Sequence, residues 1–163
     1  MNSAQSEHQM GPTRPTWTHL ALHVNDIEKV AAWYEEFTHM RVLFRDEDEE
    51  GFAVWLGDKS QVPNPFILVL GQFHPGRDPF APMEHPALGP FAHIGIELPN
   101  KKTIDEIAAK AKEAGCLILG PQQMGKRIGY IAFLRDPEGN MVEFSYDQGV
   151  YEKAREIWGH STQ

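Results

Sequence analysis

The chain is nearly free of cysteine: Cys116 is the only one in 163 residues. That excludes a disulfide framework and any site built from paired thiolates. Long apolar runs are also missing. Stretches such as FILVL at 66–70 fall far short of the roughly 18 residues that a membrane span requires. Positive charge is scarce, with 15 Lys and Arg against 23 Asp and Glu, a net charge of −8. The balance argues against a nucleic-acid surface or an anionic membrane as partner. The first sixteen residues lack the apolar centre of a secretory signal, so 1–16 reads as a disordered polar tail and the expected location is cytoplasmic. No phosphate-binding loop, dinucleotide fingerprint or nucleophile elbow is present.

What is present is a pattern that occurs twice. WTHLALHV at 17–24 alternates, with Leu20, Leu22 and Val24 on one face and Trp17, His19, Ala21 and His23 on the other. A period of two is a strand signal. Asn25 and Asp26 offer helix caps, and Ile27, Val30, Ala31, Tyr34 and Phe37 follow at helical spacing. MRVLFRD, GFAVWLGD and PFILVLGQ then read as three strands. The second half repeats this order. FAHIGIEL sets Ile94, Ile96 and Leu98 against His93, Gly95 and Glu97. Thr103 and Glu106 have capping-box spacing, Gly115 stands where a helix should end, and CLILG, IGYIAFLRD and NMVEFSY supply three strands. VYEKAREIW reads as a short amphipathic terminal helix.

Between the halves, residues 71–90 carry five prolines, which forbid a helix or a central strand there. A connection this long is a linker, a lid, or both. The offsets support a duplication: His93 lies 74 residues after His19, and GYIAFLRD follows GFAVWLGD by 78, placing Trp55 and Phe133 at equivalent positions.

HLALHVND with its helix, HIGIEL, and above all DPEGNMVEF resemble the vicinal oxygen chelate superfamily. That group includes glyoxalase I, extradiol dioxygenases, fosfomycin-resistance enzymes and bleomycin-resistance proteins. The last stretch is similar to the family's Asp-Pro-x-Gly-x-x-x-Glu hairpin. The resemblance implies an α+β fold of two βαβββ modules forming a mixed-sheet bowl around a metal. It divides the chain into module one at 17–72, a linker at 73–90, module two at 91–147, and a terminal helix and tail at 148–163. It implies that His19, His93 and Glu143 converge on one divalent ion: Fe(II), Mn(II), Zn(II) or Ni(II). Alternation supplies only the facing. Alone, either histidine reads as a hydrogen-bonded strand residue, and Glu143 as a solvated edge-strand carboxylate. Trp17, Trp55 and Phe133 are the expected pocket walls. His74 and His85 read as surface residues.

Departures from the family pattern shape the functional expectation. Glyoxalase I has a fourth ligand, a glutamate on the last strand of its first module. Subtracting 74 from 143 puts that position at about Val69, in the stretch FILVL, which has no acid. Extradiol dioxygenases place a tyrosine three residues before the Asp-Pro, where this chain has Phe133, and a histidine a little earlier, where QQMGKR has none. The expected function is a metal-dependent enzyme acting on a small substrate that chelates the metal through two neighbouring oxygens. The complete three-ligand set favours dioxygenase-type chemistry. The alternatives are a glyoxalase-like lyase or isomerase, and a small-molecule binding or resistance protein without catalysis. The expected assembly is a homodimer, with no nucleic-acid or membrane partner.

Overall fold

In the computed structural model, residues 15–125 and 128–159 are described. His8, His160 and almost all of the polar tail lie outside them. The elements are β1 (His19–His23), α1 (Ile27–Phe37), β2 (Arg41–Glu47), β3 (Gly51–Gly57), β4 (Ile67–Phe73), β5 (Ile94–Glu97), α2 (Lys101–Glu113), β6 (Leu117–Gln123), β7 (Tyr130–Arg135), β8 (Met141–Tyr146) and α3 (Val150–Trp158). They form two four-stranded mixed sheets, ordered β1-β4-β3-β2 and β5-β8-β7-β6. In each, the first strand pairs parallel with the last, and the other pairs are antiparallel. The architecture is α+β, two copies of one βαβββ unit.

The register makes the duplication concrete. Trp55 lies opposite Val69, and Phe133 lies opposite Glu143. Ala21 pairs with Val69, and Gly95 with Glu143. Val69 is therefore the module-one counterpart of Glu143, and His19 of His93.

Each sheet buries one face under its helix. Val24, Leu56, Leu68 and Leu70 pack with Val30, Ala31 and Tyr34 of α1. Leu134, Val142 and Phe144 pack with Ile104, Ala108 and Ala111 of α2, in the same continuous core. Full burial of such a side chain stabilises by about 1.5–3 kcal/mol. The helix starts follow side-chain caps. Asp26 accepts from Lys29 N at 3.1 Å. For α2 the cap is Asn100, which accepts from Thr103 N at 3.0 Å, so the helix begins two residues before Thr103 and the expected Thr103–Glu106 capping box does not form.

Polar contacts tie the modules together. Tyr34 Oη donates to buried Asp136 Oδ2 at 3.2 Å. Asn25 Nδ2 donates to Glu138 Oε2 at 2.7 Å. Lys110 Nζ meets Glu36 Oε1 at 3.1 Å. Asp136 also accepts from the backbone of Glu138 and Asn140, closing the β7–β8 hairpin.

Strand ends differ from expectation where neighbours compete. β5 begins at Ile94, leaving His93 just before the strand, because Met141 N donates instead to Leu88 O at 2.9 Å. β6 runs on through Pro121 to Gln123. It is an edge strand with two register shifts, where a proline costs no ladder bond. Gly120 there has φ +84°, and a Cβ would lie 2.5 Å from Ile131 O. Nor is the proline-rich connection a bare surface loop. His85 Nε2 meets Asp78 Oδ2 at 2.8 Å, and its ring stacks on His23 at 4.2 Å. Phe80 packs near Phe73, and Leu88 N donates to Asn140 Oδ1 at 2.9 Å. The connection is thus strapped to both modules. Among the described residues, no side chain of α3 is fully buried, and Ala154 is half-buried.

Candidate metal centre

Glu143 sits on β8, flanked by β5 and β7, not on a sheet edge. Only 4% of it is exposed. A carboxylate taken out of water needs partners for both oxygens. One is supplied by Gln148, whose Nε2 donates to Glu143 Oε1 at 3.0 Å. Gln148 is held in turn by Glu97 of β5, whose Oε1 accepts from Gln148 N at 2.9 Å and from Gly149 N at 3.1 Å. The turn that brings the chain back over β8 uses left-handed backbone at Asp147 (φ 62°) and Gly149 (φ 69°). A non-glycine residue there is uncommon, and aspartate is among the types that tolerate it.

The other oxygen faces His93, with Nε2 at 3.4 Å from Glu143 Oε2. His93 Nδ1 lies 2.7 Å from Phe91 O, a carbonyl that only accepts, so Nδ1 carries a proton. In the neutral ring Nε2 then holds a lone pair. Two acceptors face each other, an arrangement relieved by a proton or a metal cation between them. A histidine that donates its far nitrogen to a backbone carbonyl is also the usual posture of a metal ligand. The Phe133 ring meets His93 edge-on at 5.3 Å and fixes its plane.

His19 belongs to the other sheet. It is exposed, and its Nδ1 lies 2.8 Å from Thr18 Oγ1. His19 and His93 line one cleft of about 1210 Å³, together with Trp17, Phe66, Glu97 and Tyr151. Among the described residues, no three His, Cys, Asp or Glu side chains converge closely enough to hold an ion. Two of the three expected ligands are thus in contact, and the third stands across the cleft. Of the expected pocket walls, Phe133 touches His93, and Trp17 lines the cleft almost fully exposed. Trp55 of the interior strand β3 packs against Phe44 of the edge strand β2, at 5.2 Å. The donor set of two imidazoles and a carboxylate suits a first-row divalent ion.

Gln148 was not legible as a site residue. It lies in a turn beyond the last strand, where no periodicity assigns a facing. Glu97 did carry a signal, its alternation with His93 and Gly95.

The sequence profile of the Glyoxalase/Bleomycin resistance protein/Dioxygenase superfamily matches residues 16–144. An uncharacterised protein of Pseudomonas aeruginosa is 40% identical over 134 residues, spanning 82% of this chain and 90% of its own. Among solved structures, the trypanothione-dependent glyoxalase I of Leishmania major superposes with a TM-score of 0.60 at 19% identity, covering 91% of this chain and 100% of that one. A point mutant of the fosfomycin-resistance protein FosX of Listeria monocytogenes, in a complex with Mn(II) and a dihydroxypropylphosphonic acid, gives 0.60 at 13% identity, covering 84% and 94%. The antibiotic-binding protein TnmS3 of a Streptomyces species gives 0.58 at 20% identity, covering 83% and 98%. The paired βαβββ units, their common register and the match along 16–144 place this chain in the glyoxalase/bleomycin resistance protein/dioxygenase superfamily.

Proposed function

We propose that the protein is a metal-dependent enzyme acting on a small molecule that presents two neighbouring oxygens. The observation that carries this reading is the His93–Glu143 pair: buried carboxylate, oriented imidazole, and two acceptor atoms 3.4 Å apart with their other atoms engaged. His93, Glu143 and His19 would hold the ion, Fe(II), Mn(II), Zn(II) or Ni(II). When bound, such an ion supplies Lewis acidity to both substrate oxygens. The third ligand comes from across the cleft, from His19 of a second copy in a homodimer or from His19 of the same chain on closure. His93 and Glu143 orient the site, and Phe133 walls it and excludes water beside the imidazole.

The missing acid at Val69 favours dioxygenase-type chemistry over a glyoxalase-like isomerisation. Moving a carbon-bound proton needs a positioned base. The ladder register puts an apolar residue where the family's glyoxalases place theirs.

A second reading, a binding protein without catalysis, is favoured by one observation. His19 does not meet the pair, while the cleft is large enough for a drug-sized ligand.

Elemental analysis after dialysis against each metal in turn separates the two. The enzyme reading expects about one ion per chain in the wild type, and nearly none in His93→Ala or Glu143→Ala. Oxygen uptake with catechol-type substrates should then depend on that ion. Equal metal in wild type and His93→Ala, or none in either, removes the enzyme reading.

A further inference from the structure

The geometry points to Gln148 as a positioning residue that occupies one oxygen of Glu143 and reserves the other for the cation. This inference rests on the metal reading above. Three contacts carry it. Gln148 Nε2 donates to Glu143 Oε1 at 3.0 Å, whereas the oxygen in contact with His93 is Oε2. The side-chain carbonyl of Gln148 is itself oriented by Ser145 Oγ, which lies 3.4 Å from its Oε1 and is buried beside Glu143 on the same strand face. The Gln148 backbone cannot swing away cheaply, because Gln148 N and the next amide both donate to Glu97 Oε1.

The consequence is chemical. A carboxylate can hold a cation through one oxygen or through both. The amide proton of Gln148 occupies one of the two lone pairs of Oε1 and draws charge from it, so Oε2, on the side where His93 Nε2 stands, is the freer and stronger donor to a cation. One-oxygen binding leaves a coordination position open for a substrate that needs two. Residues that orient a ligand in this way commonly change metal affinity by about 10–100-fold when removed. Gln148 also comes from outside the repeated units. The turn after β8 leads into α3, whereas the chain after β4 runs into the proline-rich strap, so module one has no counterpart.

The test uses the full chain and Mn(II) alone. Titration by calorimetry gives the dissociation constant. The infrared difference spectrum between Mn(II)-loaded and metal-free protein gives the separation of the two carboxylate stretches, which is wide for one-oxygen binding and narrow for two. Glu143→Gln identifies the bands that belong to Glu143. In the wild type the separation should be wide. In Gln148→Met, which keeps the length but has no donor, it should narrow, and Mn(II) should bind about tenfold more weakly or worse. Thermal unfolding should place Gln148→Met close to wild type. If that variant does not fold, the wild-type spectrum decides alone: a narrow separation overturns the proposal. If the wild type binds no Mn(II), or Glu143→Gln binds it equally well, the metal reading falls and this inference with it. If Glu143→Gln loses the metal but Gln148→Met matches wild type in affinity and spectrum, the positioning role alone is overturned.

Discussion

The two modules share topology and ladder register yet divide the chemistry unequally. At the position opposite the central β7 or β3 aromatic, module two has Glu143 facing Phe133, and module one has Val69 facing Trp55. In module two the carboxylate is buried, hydrogen-bonded on one oxygen and in contact with a fixed imidazole. In module one the equivalent imidazole, His19, is exposed, with its Nδ1 2.8 Å from Thr18 Oγ1. Module one spends its helix-free face on apolar and aromatic surface, and on His23, which serves as a seat for the strap through His85 and Phe73. Duplication copies a backbone and its facing. Which copy becomes the charged half depends on single residues and on what the chain does next.

The largest expected effect breaks the symmetry at its centre. On the proposed metal reading, Glu143→Ala should lower divalent-metal affinity by about 100-fold or more, because the charged member of the proposed donor set would be gone. Val69→Ala, at the equivalent position, should leave it within about twofold. Calorimetric titration of both variants checks this. Equal losses would mean that the two modules contribute alike.

Next in size are the paired cores. Leu56 under α1 and Leu134 under α2 are both fully buried, and Leu→Ala at either should cost about 2–5 kcal/mol. Because one continuous core joins the modules, each variant should unfold in a single transition, measured by urea denaturation. Two separated transitions would show that the modules fold independently.

A smaller effect probes the junction. Tyr34→Phe removes the hydroxyl that Asp136 accepts from, and leaves that buried carboxylate one donor short. The expected cost is about 1–3 kcal/mol in the same assay. Burial, reinforced by Asp136, holds the Tyr34 pKa far above its usual value, so the phenol stays neutral and the effect should not vary between pH 6 and 9.

The smallest effect concerns pH and the strap. Burial first, then the neighbouring His85, hold the His23 pKa below its usual 6.5, against the opposing pull of Asp78 and Glu138. The unfolded chain therefore binds this proton more readily than the folded one. The contribution of His23 is fully present above about pH 6.5 and is lost as pH falls below it. Hydrogen exchange at 74–90 should accelerate between pH 7 and 5.5 relative to β4. In His23→Phe, which keeps the stack without the titration, that acceleration should shrink. A strap that exchanges as slowly as β4 at every pH would count against this.

Much of this was legible beforehand for a simple reason. Alternation assigns a face to each strand residue, so Leu22, Val24 and Ile94 read as core, and His19 and Glu143 as facing away from the helices. The α3 bounds, Val150–Trp158, followed from helical spacing. The capping box at Thr103 failed because Asn100 is a better-placed acceptor three residues earlier. His85 read as a surface residue because a proline-rich stretch has no period from which to infer a partner; its seat on His23 is a contact between residues 62 apart in sequence.

Two different kinds of information meet in this protein. Local pattern alone determined the element order, the duplication and the core faces, because each depends on residues a few positions apart or on offsets of 74 to 78 between the halves; the ladder register then made Val69 the counterpart of Glu143. Only the tertiary structure decided that Glu143 is buried, that His93 Nε2 faces it, that Gln148 holds its other oxygen, and that His19 stands across the cleft. Each of those is a distance between segments brought together by packing. A period of two or 3.6 says which way a side chain points, but not what it will meet.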